Sequence, residues 1–500
     1  MRSSVLLRVM IVVLVILLIL AGWDTLGRPG WPVTNSPAFS GVTAGVSPSP
    51  PLSVQLTLPA KLTVAGTQWG VSTCYIGASE GSSRFNIADL QDLGITTYRL
   101  YAGMSRWEAQ DDSLVYGLPT IEQIKQNPNV INWAKWDNVM TNPPGGSDYS
   151  WVNAPPEWHG NARTLLSTLN AAHIRIMLAF RSQDDQHNPA WAPNPPVTSA
   201  DWNVWWGYVF ATVYWLNVRN HYNINDFEIG NEPNIKEQGW NGTEQQYFTF
   251  ARYTYDAISY VYKTYLPGRI YHVYAPTTAD GIWPYDALQQ IPTTFDSMDV
   301  HYYGTDIRTN VERVHTWMNE TGHGNRPLWL TEWGSYHNQY NSVPFGITLI
   351  NNLIYGSSPG LDYVYGSDIF SLYDFGTSPS GLIRYDGGRR ADYYALRIGI
   401  RALQGCRPTY RSVATAPALL AITTKDAAGN FYLLVTNRDS KANYRVTVNF
   451  SALLLDAVGT VWQFDSIHMD AITGQQRLQN GVTIFTIPAN GALLIKFAHT

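Results

Sequence analysis

Two glutamates have surroundings suited to chemistry. Glu232, in DFEIGNEPN, and Glu332, in PLWLTEWG, each follow a short apolar run and sit among Asn, Pro and Trp, unlike most surface acids. Two opposed carboxyls can divide the work of cleaving an acetal: one, protonated, assists the departing oxygen, and the other, ionised, attacks the anomeric carbon. At a separation of about 5 to 5.5 Å the attack is direct and passes through a covalent intermediate, with net retention at that carbon. Trp333 beside Glu332 and Trp240 beyond the NEP turn are candidate platforms for a sugar ring, with core or loop-anchor packing as the plain alternative.

These residues need a scaffold that brings distant strand ends together. From Thr67 to about Gly405, short apolar runs alternate with longer amphipathic segments, the pattern of repeated βα units. Eight strands are predicted, at Gln68–Ile76, Thr96–Leu100, Ile174–Phe180, Asp226–Gly230, Ile270–Ala275, Ser297–His301, Leu328–Thr331 and Asp362–Ile369. Helices are expected over Asp201–Arg219 and Glu244–Tyr265. The fold class is therefore α/β, a (β/α)8 TIM barrel over residues 59–407, followed by an all-β antiparallel sandwich over 408–500. Glu232 then ends the fourth barrel strand and Glu332 the seventh, at the mouth where such barrels carry their sites.

Composition restricts the partners. Charged residues are 14% of the chain and the net charge is −5, which excludes the basic footprint of a nucleic-acid binder. The 19 Trp and 31 Tyr suit a carbohydrate partner, although aromatics also fill cores. Residues 1–23, with Arg2 and Arg8 before an apolar run from Val9 to Trp23, read as a signal peptide or an uncleaved signal anchor, so the folded part is expected outside the cell or tethered to its membrane. Residues 24–58 form a Pro/Ser/Gly-rich linker, of which 52–58 alternate like a strand that joins the sandwich. Cys74 and Cys406 exclude a disulfide framework. Their distance in sequence favours two separate buried thiols over a pair.

NEP after the fourth strand and a TEW-type Glu after the seventh resemble the signature of clan A of the glycoside hydrolases, with a spacing similar to family 39 and its neighbours that carry a C-terminal β-sandwich. The resemblance implies that Glu232 is the acid/base and Glu332 the nucleophile. It also implies that Asn231 bonds the sugar 2-hydroxyl and that Arg99, in TTYRLY, supports the nucleophile. In DVHYYG, His301 and Tyr303 alternate onto one face and are expected to bond the sugar or the nucleophile. A guanidinium and a phenol near Glu332 would keep it ionised, which separates the two roles. A satisfied core histidine and a structural ion pair are the plainer readings of His301 and Arg99. Where clan A enzymes often place a Trp after the eighth strand, SDIFSLYDF offers Phe370, Tyr373 and Phe375.

The loop RSQDDQHNPAW brings Arg181, Gln183, Asp184, Asp185 and His187 close together, in a spacing that matches no metal motif, so no metal or cofactor is expected. The long segment Ser105–Asn161 carries Trp107, Trp133, Trp136, Trp151 and Trp158, which could wall a pocket or line a cleft. The resulting expectation is a retaining enzyme acting on β-glycosidic bonds. The alternatives are a non-catalytic carbohydrate-binding or cell-wall protein on a barrel scaffold, and a transglycosylase sharing the same intermediate.

Overall fold

In a computed structural model the chain is described from residue 56 to 498, apart from residues 80–84, 104–118, 142–161, 182–193, 237–239, 305–306, 335–338, 375–378, 451–452 and 454–455. The apolar N-terminal run, the linker up to residue 55, Gln183, Asp184, Asp185, His187, Phe375, Trp107, Trp151 and Trp158 lie outside the described residues. Among the described residues no helix is long and apolar enough to cross a membrane.

Eight parallel strands close a barrel: β2 (Tyr75–Ser79), β3 (Thr97–Gly103), β4 (Arg175–Arg181), β5 (Asp226–Ile229), β6 (His272–Thr278), β7 (Ser297–Tyr303), β8 (Leu328–Gly334) and β9 (Gly366–Phe370). Alternation is clear in β3. Tyr98, Leu100 and Ala102 of β3 pack outward against the helices, while Thr97, Arg99 and Tyr101 point into the barrel. The barrel floor is filled by Met177, Tyr274 and Trp329, against which Tyr75 stacks at 5.7 Å between ring centroids. Gly366 has no Cβ because one there would stand 2.4 Å from the Trp329 ring.

The helices start where local chemistry caps them. Ser199–Tyr214 is opened by a reciprocal pair between Thr198 and Asp201, and Glu244–Tyr265 by Thr243 and Gln246. Trp133 and Trp136 belong to this layer, Trp133 stacked on Tyr214 at 5.1 Å and Trp136 buried, so these two wall no pocket.

The β domain is one nine-stranded sheet. It comprises β1 (Thr57–Val71), β10 (Pro408–Ala414), β11 (Leu419–Lys425), β12 (Phe431–Asn437), β13 (Asn443–Asn449), β14 (Ala457–Phe464), β15 (Met469–Leu478), β16 (Val482–Ile487) and β17 (Gly491–Phe497), in the order β15-β14-β17-β12-β11-β10-β1-β13-β16. One face of its central strands, with Leu434, Phe464 and Leu494, packs on the barrel's helices; the other, with Leu433, Val435 and Ile495, forms a second core. Arg397 and Arg401 of the last barrel helix grip the buried Asp470 of β15, Arg401 at 2.6 Å.

Three expectations are corrected here. The strand predicted over Gln68–Ile76 is two: β1 belongs to the sheet, and β2 opens the barrel. The chain breaks between them because Ser72 and Thr73 turn their backbone N–H groups to Arg407 O and Ser357 Oγ, at 2.8 and 3.3 Å. The sheet is also not wholly antiparallel, since β1 runs antiparallel to β10 but parallel to β13. Finally, Cys74 and Cys406 form a disulfide across a sequence separation of 332. The closed barrel is the reason. Because β2 pairs with β9, the start and the end of the barrel are neighbours in space however far apart they are in the chain.

Candidate active site

Arg99 organises the upper barrel. It is fully buried, and each of its nitrogens donates. Nε and Nη2 both reach Glu228, Nε at 2.6 Å, while Nη2 also reaches Asn231 Oδ1 at 2.9 Å. Nη1 donates to Glu332 Oε1 at 2.6 Å, Tyr101 OH at 2.9 Å and Ser79 Oγ at 3.0 Å. Planar bidentate pairing of this kind fixes the guanidinium in orientation as well as in charge. Two cations approach the Tyr101 ring, Arg99 at 4.7 Å and Arg181 at 4.6 Å from its centroid.

Glu332 collects donors on both oxygens. Oε1 receives Arg99 and the Tyr101 hydroxyl, the latter at 2.5 Å, and Oε2 receives the Tyr303 hydroxyl. Burial works to raise this carboxyl, but the charges of His301 and Arg99 and the two phenols outweigh it and hold Glu332 well below the usual carboxylate range. It is therefore an ionised group kept out of water, as an attacking oxygen needs to be.

A bulge in β8 makes this geometry possible. Register along β7 and β8 steps from Asp299↔Trp329 to His301↔Glu332, one residue more on β8 than on β7. Thr331 and Glu332 consequently both face the barrel interior, and Trp333 turns outward into the helix-facing core.

Glu232 is reached by a sharp turn. After β5, Gly230 takes φ +88°, and a side chain there would also press on the Tyr247 ring, 3.1 Å from its Cβ position. Glu232 itself is left-handed at φ +42° and is held by its N–H donating to Thr277 O at 2.8 Å. A non-glycine residue in that region stores strain that the surrounding bonds must hold in place. Its Oε1 lies 3.1 Å from His301 Nδ1, which is 3.6 Å from Glu332 Oε2. One nitrogen or oxygen each of Glu232, His301 and Glu332 lie within 4.8 Å of one another.

Glu232, Glu332, Asn231, Arg99, His301 and Tyr303 thus meet at one end of the barrel. Asn231 spends its Oδ1 on Arg99, which leaves its amide nitrogen as the end that can donate to a ligand. Trp333 is buried in outward packing. Trp240 is likewise buried, donating to Thr243 O at 3.2 Å and packed on Tyr247 and Phe250. Tyr373 directs its hydroxyl to Asn86 and Asp89. Phe370 stands beside Tyr303, half-buried at the end of β9 and edge-on to that ring at 6.2 Å.

Sequence reasoning missed Glu228 and Tyr101; strand period places Tyr101, two residues after Arg99, on the same face of β3, whereas no local pattern marks Glu228. Glu228, Asp299 and His301 also bring ligand atoms within 4.8 Å of one another. That set is not free to hold an ion, because Arg99 spans both oxygens of Glu228 and Thr331 occupies Asp299 Oδ1.

No known family matches the sequence, and no curated protein does. The fold has relatives among solved structures. A glucosidase from Croceicoccus marinus has a TM-score of 0.64 at 15% identity, over 89% of this chain and 100% of that one. An enzyme of glycoside hydrolase family 39 from Xanthomonas axonopodis pv. citri has a TM-score of 0.60 at 16% identity, over 90% and 100%. An endoxylanase of family 30 from Clostridium papyrosolvens C71 has a TM-score of 0.60 at 14% identity, over 88% and 100%. In fold, this chain is similar to the clan A glycoside hydrolases.

Proposed function

We propose that the protein is a retaining glycosidase that cleaves β-glycosidic bonds by double displacement, with Glu332 as nucleophile and Glu232 as acid/base. One observation carries the reading: an oxygen of each carboxylate lies within 4.8 Å of the other, which suits the separation of about 5 to 5.5 Å at which one carboxylate attacks directly better than the wider spacing of an inverting pair. Their surroundings divide the roles. Glu332 is saturated with donors and ionised, whereas Glu232 contacts an imidazole with which it can share a proton. In the first step an oxygen of Glu332 bonds to the anomeric carbon while the glycosidic C–O bond breaks and Glu232 protonates the leaving oxygen. In the second, Glu232 takes a proton from water as the water oxygen attacks and the Glu332 ester breaks.

The glycosidases and xylanase among the fold relatives support a carbohydrate substrate. The positive start and apolar run of residues 1–23 support action outside the cytoplasm, by a secreted or membrane-tethered chain. Fractionation of cells expressing the full chain tests that location. The test of mechanism is the configuration of the first-formed product on whichever glycoside of an aryl glycoside and oligosaccharide panel is cleaved, followed by proton NMR. Retention is expected; inversion would refute the assignment of Glu332 as nucleophile.

A further inference from the structure

Where β5 and β6 end, Gly230, Glu232 and Thr277 are left-handed, at φ +88°, +42° and +57°. Glutamate is uncommon in that region and threonine, branched at Cβ, is an outlier there, so neighbouring bonds must hold both in place. Pairing of the two strands reaches only Glu228↔Tyr274, short of all three residues. Beyond it the strand ends are tied in three rungs. In the first, the buried Tyr247 hydroxyl, from the helix Glu244–Tyr265, lies 2.8 Å from both Ile229 O and Pro276 O, the carbonyls just before Gly230 and Thr277. The second is the Glu232 N–H on Thr277 O.

The third rung is Asn234, two residues past Glu232 in DFEIGNEPN. Its Oδ1 accepts the Ala279 N–H at 3.1 Å, and its Nδ2 donates to Asp280 O. The side-chain amide thus stands in for a peptide unit and extends the β5–β6 ladder past Glu232. The same residue sits in the turn that Glu232 opens, closed by the Ile235 N–H donating to Glu232 O at 2.8 Å. The far side of the rung is anchored as well: Arg313, on the helix Arg308–Glu320, pairs with Asp280 Oδ1, which also accepts the Gly281 N–H at 2.9 Å.

We infer that Asn234 is a positioning residue for the acid/base: by tying the turn Glu232–Ile235 to Ala279 and Asp280 it holds Glu232 left-handed, with its carboxyl beside His301 and across from Glu332, and Tyr247 is the lower tie of the same clamp. The inference rests on Glu232 being the acid/base. The clamp takes no part in bond making. Without it Glu232 relaxes towards ordinary φ and its carboxyl swings away from the leaving oxygen, and a shift of about 1 Å at a reacting group costs roughly 100-fold. Glu332 is untouched, because its donors come from β3 and β7.

The test uses the full chain. Asn234→Ala removes both bonds of the third rung at a half-buried position, and Tyr247→Phe removes the first rung at nearly constant shape. In both, kcat/KM for aryl glycosides with poor leaving groups is expected to fall roughly 100-fold, while that for activated aryl leaving groups, which need little protonation, falls about threefold or less. A merely structural loss would lower all of them alike, and equal losses, or none, overturn the inference. A second readout needs no substrate: in a crystal structure of Asn234→Ala compared with the wild type, Glu232 is expected to leave the left-handed region and move from His301 while Glu332 and Arg99 stay in place. Glu232 unmoved in that variant overturns the inference whatever the kinetics. A wild type that cleaves no glycoside, beside a variant in which Glu232 has moved, refutes the glycosidase reading instead and leaves the clamp standing.

Discussion

Replacing Tyr303 with Phe removes one donor from Glu332 Oε2 and leaves the ring and its edge contact with Phe370 in place. A hydrogen bond to a charged acceptor contributes about 1.5–3 kcal/mol, or roughly 10- to 150-fold in a rate constant. The mechanism decides which step bears the loss. Glu332 gives up its negative charge as it attacks and regains it as the glycosyl ester breaks, so a donor on Oε2 is weakened in the first transition state and strengthened in the second. Tyr303→Phe should therefore slow the second step. For activated aryl glycosides kcat is expected to fall about 10-fold or more with KM falling alongside it, leaving kcat/KM nearly constant. Stopped-flow release of the aryl group should then show a burst equal to the enzyme concentration. A loss in kcat/KM with no burst, or no change within about twofold, would refute the assignment of the Tyr303 hydroxyl to the departing carboxylate.

Three further outcomes follow from other parts of the molecule. Exchanging Cys74 and Cys406 for Ser opens the closure between the barrel's first and last elements, and since bridges over long loops stabilise by about 2–4 kcal/mol, calorimetry should show a lower Tm that reductant reproduces in the wild type. Asp392, buried in the last barrel helix where its oxygen faces Gly346 near Phe464, is pushed up to about 9, by burial above all. The folded chain then holds a proton that the unfolded chain releases, so this group's stabilisation is present below its ordinary value of 3.8 and is lost as pH rises towards about 9, by about 1.4 kcal/mol per pH unit. Asp392→Asn should flatten the fall of Tm from pH 5 to pH 8; an unchanged slope would contradict it. Phe370→Ala should raise KM about 10-fold in steady-state assays while leaving Tm within a few degrees, since the ring is half-buried beside Tyr303 and aromatic rings stack on sugars.

Much of the fold was legible because a parallel barrel writes its strands as short apolar runs, each buried on its outward face. Apart from the first, the observed barrel strands fall within a few residues of the predicted ones, and β5 and β8 lead to Glu232 and Glu332 at the ends that face the same mouth. What escaped notice depends on geometry across the chain. Chain distance argued against Cys74 pairing with Cys406, yet closure of β2 on β9 makes them neighbours. The tail of β1 reads like a first barrel strand, although its alternation through Ala60, Leu62 and Val64 buries residues in the sheet's core. Trp333 sits next to Glu332 in sequence, but the one-residue bulge in β8 turns it outward while admitting both Thr331 and Glu332. Glu228 was overlooked as part of an apolar strand, since nothing local reveals that a buried carboxylate there is paired by Arg99 from β3.

The central claim, that Glu332 attacks and Glu232 handles the proton, is tested most directly by azide rescue of two variants on one activated β-glycoside. Glu332→Gly with azide should form the α-glycosyl azide, because the anion replaces the nucleophile on the opposite face, and Glu232→Ala should form the β-glycosyl azide, because azide then attacks the ester on Glu332. The same azide from both variants, or hydrolysis by Glu332→Gly at the wild-type rate, would contradict the account.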